Sequence, residues 1–255
     1  AARAYGGLAN LAGTLRLRSL MARYLKRART SPDPSARMAA DWADAVFRLT
    51  FCDWAGARAA LNNGVALGQA SGAHYELGIG ITILGYLHYC TEPTAVALTT
   101  LRQGLASARD RGNLQHESWA LTLMVPLLLM RNEKRDAERC EQGAGERLAT
   151  SDPLSIPIYH GVKAQTRWRC GFPNRALDAA EDALAAFAKA PPAGYIYLPG
   201  LTGPMEVAVA EMARPAGDRA RTGSRACRQA RMDGKATRSL GGGVGDCGRC
   251  DDRNL

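Results

Sequence analysis

The amino-acid sequence predicts an all-α fold built from paired helices that recur about every forty residues, followed by a last segment of different character. Three observations carry this. Alanine returns at Ala57, Ala97, Ala137 and Ala176, in steps of 40, 40 and 39 residues. A turn or helix breaker stands just before each of those segments. Strand signals are scarce: aromatic residues are 6% of the chain, and no alternating run exceeds a few residues.

The segments around these alanines read as one helix of each pair, here helix B. Seven positions after each alanine stand Gly64, Gly104, Ala144 and Ala183, all small; four positions after stand Leu61, Leu101, Glu141 and Ala180. Two small residues one face apart let helices lie close, because nothing bulky separates the backbones. These eight small residues are the candidate packing positions of the repeat. Asp53-Trp54, Glu92-Pro93, Asn132-Glu133 and Phe172-Pro173 introduce the helices; proline in a first turn forfeits no intrahelical hydrogen bond. Ser71-Gly72 and Arg111-Gly112 end two of them, since glycine accepts the left-handed conformation that stops a helix.

A second helical segment, helix A, precedes each helix B, over 39–51, 77–89, 118–130 and 157–169. Its apolar residues fall at helical spacing, as in Trp42, Val46 and Leu49, or Trp119, Leu123 and Leu127. Twelve positions before the marker alanines come Ala45, Gly85, Val125 and Ala164, again mostly small. His74-Tyr75-Glu76 and Gln115-His116-Glu117 open successive units, so His74 and His116 are expected to cap or pack there. The one β-rich stretch, 79–84, lies inside the helical period. Three features depart from the pattern: Glu141 at an apolar position, Pro126 within a helix, and the segment 18–29, where Tyr24 replaces a small residue.

A paired-helix unit with these small positions resembles the tetratricopeptide repeat, with a period near 40 where the standard unit has 34. Through the phrases ASARDRGNLQHESWAL and CDWAGARAALNNGVALGQASG it is similar to the longer variant in the C-terminal arms of large bacterial signalling ATPases. Those include proteins that carry a class III adenylate or guanylate cyclase, an AAA-type ATPase, then helical repeats. The resemblance covers about 8–212. It implies an α–α superhelix of four to five helix pairs, a tetratricopeptide-like solenoid acting as a protein-interaction scaffold or intramolecular regulatory arm. It further implies no cofactor, no metal and no catalytic residue, with the partner a protein or other domains of the parent chain. Two other readings stay open: a sensor arm of an ATP-dependent transcriptional regulator, and a piece named after a cyclase parent without catalytic residues. Trp42, Trp119 and Trp168 lie on helix A segments, which line the concave surface of such solenoids. Core packing is their default role and groove contact the alternative. The missing initiator Met leads to the expectation that the chain belongs to a longer product.

Charge and chemistry set the remaining bounds. Residues 213–255 hold ten Lys+Arg against five Asp, a net +5, leaving +4 of the total +9 for the repeat region. That region has no basic stripe with interleaved aromatics, which argues against nucleic acid. The composition break after Met212 divides the chain into a repeat domain, 1–212, and a disordered basic tail, 213–255; a shift of reading frame is the other account of that tail. Cys247-Gly-Arg-Cys250 lacks two further zinc ligands, and Gly243-Val-Gly245-Asp-Cys-Gly248 lacks the strand and helix a dinucleotide loop needs. No phosphate-loop, serine-elbow or H-E-x-x-H motif occurs, so enzyme activity is not expected. Cys52, Cys90, Cys140 and Cys170 sit among apolar neighbours and read as buried free thiols of a cytoplasmic protein. The longest apolar stretch, 121–130, is half the roughly 20 residues a membrane span requires.

Overall fold

A computed structural model describes residues 2–15, 17–148, 155–189 and 197–214. Among them are eleven α-helices and no strand: α1 Ala2–Thr14, α2 Arg18–Arg29, α3 Pro34–Thr50, α4 Trp54–Ser71, α5 His74–Thr91, α6 Thr94–Asp110, α7 Leu114–Met130, α8 Lys134–Glu146, α9 Ser155–Arg169, α10 Pro173–Lys189 and α11 Leu198–Ala213. The chain divides into two units, Ala1–Ala210 and Glu211–Leu255. In the second, the described residues end at Arg214, whose Nη1 donates to Glu211 Oε2 at 2.9 Å. The segment 215–255, with Cys227, Cys247, Cys250 and the glycine motif, lies outside the described residues.

Local chemistry places the helix boundaries. Asp33 precedes Pro34 and its Oδ1 accepts from the Ser35 N–H at 2.9 Å, so α3 begins five residues before its apolar period does. Asp53 caps α4 through the Gly56 N–H at 3.0 Å, and Asn113 caps α7 through the His116 N–H at 3.1 Å. Gly72 and Gly112, at φ of 68° and 63°, close α4 and α6 as the sequence indicates. The stretch 79–84 is helical within α5, and α7 runs through Pro126. A proline there leaves the Thr122 carbonyl without its helical donor.

The turns from helix A to helix B share one position across the repeat. Cys52, Asn132 and Gly171 all occupy the left-handed region, at φ of 57°, 60° and 87°. The equivalent Glu92 is instead extended at φ −122°, as the residue before Pro93 tends to be, and Arg58 of α4 holds it by a 2.6 Å ion pair.

Consecutive helices pair as α1–α2, α3–α4, α5–α6, α7–α8 and α9–α10. Each odd-numbered helix also packs on the next odd one, from α1 through α9, and α2, α4, α6 and α8 each pack on the odd helix that follows. The result is an all-α superhelical stack of five hairpins, to which α11 adds the first helix of a sixth. One apolar core runs from Met38 to Val162; smaller clusters join α1, α2 and α3 at one end and α9, α10 and α11 at the other. The segment 18–29, which departs from the repeat pattern, forms helix α2, and half-buried Tyr24 stacks on Tyr5 at 6.1 Å.

The cysteines also depart from expectation. None of the four described is disulfide-bonded, but Cys52 and Cys90 are exposed and Cys140 and Cys170 only half-buried. Cys52, Cys90 and Cys170 sit at the A-to-B turns, where the chain leaves the core. Among the described residues, no helix is long and apolar enough to cross a membrane.

The left-handed turn position yields a prediction. A β-carbon there costs about 1–2 kcal/mol, while glycine's extra unfolded-state freedom costs about 0.5–1. Cys52→Gly should therefore raise unfolding stability in urea by about 0.5–1 kcal/mol. Unchanged or lower stability would show that the turn carries no strain.

Candidate functional site

The repeat positions fix where a charge interrupts the apolar face of a B helix. Ala57, Ala97, Ala137 and Ala176 are completely buried, as are Ala144 and Ala183; Gly64 and Gly104 are buried too. A β-carbon on Gly64 would stand 3.1 Å from Trp42 Nε1, and one on Gly104 would stand 3.3 Å from Ile81 Cγ2. Trp42 lies in the core between α4 and α5, facing Gly64 and Gly80. Trp119 and Trp168 are half-buried, Trp168 against the cluster of α9, α10 and α11.

Four residues past the marker alanine, Leu61 and Leu101 are fully buried and Ala180 nearly so. At that place in α8 stands Glu141, only 2% exposed. A lone buried carboxylate costs several kcal/mol, so its partners decide whether the helix can sit there. Arg167 Nη2 donates to Glu141 Oε2 at 2.6 Å and the Tyr159 hydroxyl donates to Oε1 at 2.8 Å, both from α9. Burial, then the adjacent Glu141, push the Tyr159 phenol well above its ordinary range. Gly145 makes room, since a side chain there would strike the Tyr159 hydroxyl.

Above this triad the surfaces of α8 and α9 part into a groove of about 1250 Å³. Its acids are mostly matched: Glu133 by Arg131 at 2.5 Å, Asp136 by Arg139, and Glu138 and Glu141 by Arg167. Lys134, Arg135 and Lys163 line the same groove with no acid within salt-bridge distance among the described residues; Lys163 Nζ lies 5.8 Å from the Tyr159 ring centre. The groove therefore presents net positive charge over a buried, hydrogen-bonded floor. No group of three or more metal-ligating side chains occurs among the described residues.

Next to this site, α7 anchors the hairpin through a second buried polar set. Glu117 pairs with Arg147 at 2.7 Å and Arg109 at 2.8 Å. Burial would raise the Glu117 carboxyl, but Arg147 and Arg109 together hold it below its usual range. Fully buried His116 stacks on Trp119 and meets the Tyr75 ring at a tilt, and Trp119 Nε1 donates to Ser155 Oγ at 2.8 Å on α9. Burial, then the nearby Arg111 guanidinium, push the His116 imidazole down to about 4. His74, at the equivalent helix start, is exposed. Sequence reading marks Glu141 as an anomaly but misses Tyr159, Lys163 and Arg167; a charge at an apolar repeat position was the available signal.

No protein-family model matches the chain, and neither does any curated protein. Among solved structures it is similar to BtubC (BKLC) from P. vanneervenii, at a TM-score of 0.55 and 12% identity over 69% of this chain and 74% of that one. At that identity the likeness is one of fold.

Two outcomes follow from the site. Glu141→Ala leaves Arg167 and the Tyr159 hydroxyl facing a void and should cost about 2–4 kcal/mol in urea unfolding. Replacing the triad together by Glu141→Leu, Tyr159→Phe and Arg167→Leu should cost less than the single change; a larger loss would mean the triad is not a self-contained unit. For His116, the folded value lies below the unfolded one near 6.5, so the unfolded chain binds the proton more readily between the two. Stability is full above about 6.5, falls as pH drops toward 4, and is flat below, a loss of about 3 kcal/mol. His116→Phe should flatten that part of the stability–pH curve, and a slope unchanged by the substitution would contradict the assignment.

Proposed function

We propose that this chain is a protein-binding scaffold whose α8–α9 groove grips an acidic segment of its partner. The observation that carries this is the groove itself, where Lys134, Arg135 and Lys163 stand unmatched over a fixed floor. Protein surfaces usually intersperse opposite charges; cations left unmatched in a concavity favour a negatively charged occupant and speed its arrival. A groove open along its length accepts an extended chain, and the flanking acids, already engaged by arginines, do not oppose it. The resemblance of the forty-residue unit to tetratricopeptide arms of ATPase- and cyclase-type signalling proteins supports the same reading. It adds that the acidic segment belongs to a separate protein or to another domain of the same parent.

The test uses a fluorescent oligoglutamate peptide as probe, titrated into the full chain. Lys134→Glu, Arg135→Glu and Lys163→Glu combined should weaken binding about tenfold or more, and binding should fall as salt rises. Binding that survives the triple reversal unchanged would run through the basic residues of 213–255 and would overturn the groove assignment.

A further inference from the structure

Helix α10 turns Ala176, Ala179, Ala180, Ala183 and Phe187 inward and leaves its opposite face to solvent. That face carries Asp178 and Glu181, three residues apart and therefore neighbours on the helix surface; Leu184, three residues further on, is 56% exposed. Neither carboxylate has a base within salt-bridge distance among the described residues. Arg175, one turn before Asp178, lies over the Phe172 ring at 5.6 Å, and the adjacent Asp182 faces His160 Nδ1 of α9 at 3.6 Å. Acids elsewhere are placed differently. Glu76 and Asp110 also lack a basic partner but stand singly, while the acids lining the α8–α9 groove are engaged by arginines. Unmatched negative charge on α10 thus lies one helix along from the groove where Lys134, Arg135 and Lys163 are unmatched. Lys134 and Arg135 are exposed in the first turn of α8, whose N–H groups add to the positive potential.

We infer that the acidic face of α10 docks in the α8–α9 groove of a second copy of this chain, a docking that rests on the groove's proposed role and that two copies exchange about a two-fold axis. Charge selects this occupant. The contact pairs groups that a single chain leaves unpaired on both sides, and it disturbs no pair already made, since the groove's arginines keep their own acids. Position agrees with charge. Helix α9 packs against both α8 and α10, so each copy carries groove and acidic face on neighbouring helices. Two copies related by a two-fold axis then make the same contact twice and close as a dimer. The rival basic surface is poorer: Lys26 of α2 borders a hollow of about 440 Å³ in which Arg29 and Arg48 are already paired with Asp41, Asp44 and Asp53.

Sedimentation velocity of the full chain tests this with two reversals of exposed residues, Lys134→Glu with Arg135→Glu in the groove, and Asp178→Lys with Glu181→Lys on α10. The wild type should pass from one copy to two as concentration rises, and less readily as salt rises. Each reversal alone should weaken that association about tenfold or more. Mixed in equal amounts, the two variants should associate as the wild type does, because each reversed groove then meets a reversed α10. A wild type that stays at one copy at every concentration overturns the docking. So does either reversal that leaves association unchanged; loss on the α10 reversal alone would place the partner surface elsewhere, as on α2. A mixture that stays at one copy while both variants keep the wild type's helical circular dichroism overturns it too. The oligoglutamate titration separates the two readings: a wild type that stays at one copy yet binds the peptide through the groove ends this docking and leaves the groove's role standing.

Discussion

The whole stack depends on how near two helices can come, and small side chains at fixed places in the repeat set that distance. Ala57, Ala97, Ala137 and Ala176 are completely buried where helix B meets its neighbours, and Gly64, Gly104, Ala144 and Ala183 continue the same face two turns later. Helices that close exclude water along their length, so each side chain over the contact has many partners within dispersion range. The larger apolar residues, Leu61, Leu98, Leu101 and Leu127 among them, then fill the spaces between hairpins. Stability in such an array is a sum of hairpin and nearest-neighbour terms, so a fault in one hairpin is felt mainly by the hairpins on either side.

Against that apolar background two buried carboxylates, Glu117 and Glu141, stand in the fourth hairpin; a third, Asp44 of α3, is engaged by Arg29 and Arg48. Glu141 takes a leucine's place and is acceptable only because α9 delivers an arginine and a phenol to it. Glu117 is buried between arginines of α6 and of the residue ending α8. Each of these carboxylates penalises any sliding of one helix past another, since a shifted register would strand a buried charge. The hairpin that supports the groove is thus held in position by charge as well as by packing, and a groove of constant shape needs that support.

Much of this was legible in the sequence, and the misses have physical causes. The four B helices and the four A helices follow from the spacing of alanine and glycine, and Gly72 and Gly112 end helices where their lack of a β-carbon allows it. The A helices start earlier than their apolar period because Asp33 and Asn113 cap them, a polar signal that periodicity does not carry. Helix α2 is hard to read since its stripe of Met21, Leu25 and Ala28 is narrow beside five basic residues. The thiols at the A-to-B turns keep apolar neighbours in sequence but lose them in space. The groove was visible only as the oddity of Glu141, because its partners stand 18 and 26 residues away on the following helix.

The small-residue constraint is tested most directly by comparing two substitutions in α6, Ala97→Leu at the buried marker and Ala95→Leu on the exposed face two residues before it. Urea unfolding of both should separate them. Ala97→Leu should lower stability by about 1–3 kcal/mol through overpacking, and Ala95→Leu should stay within about 0.5 kcal/mol of the wild type. Equal effects at the two sites would contradict the account, since the spacing between hairpins would then not be set by the marker alanine.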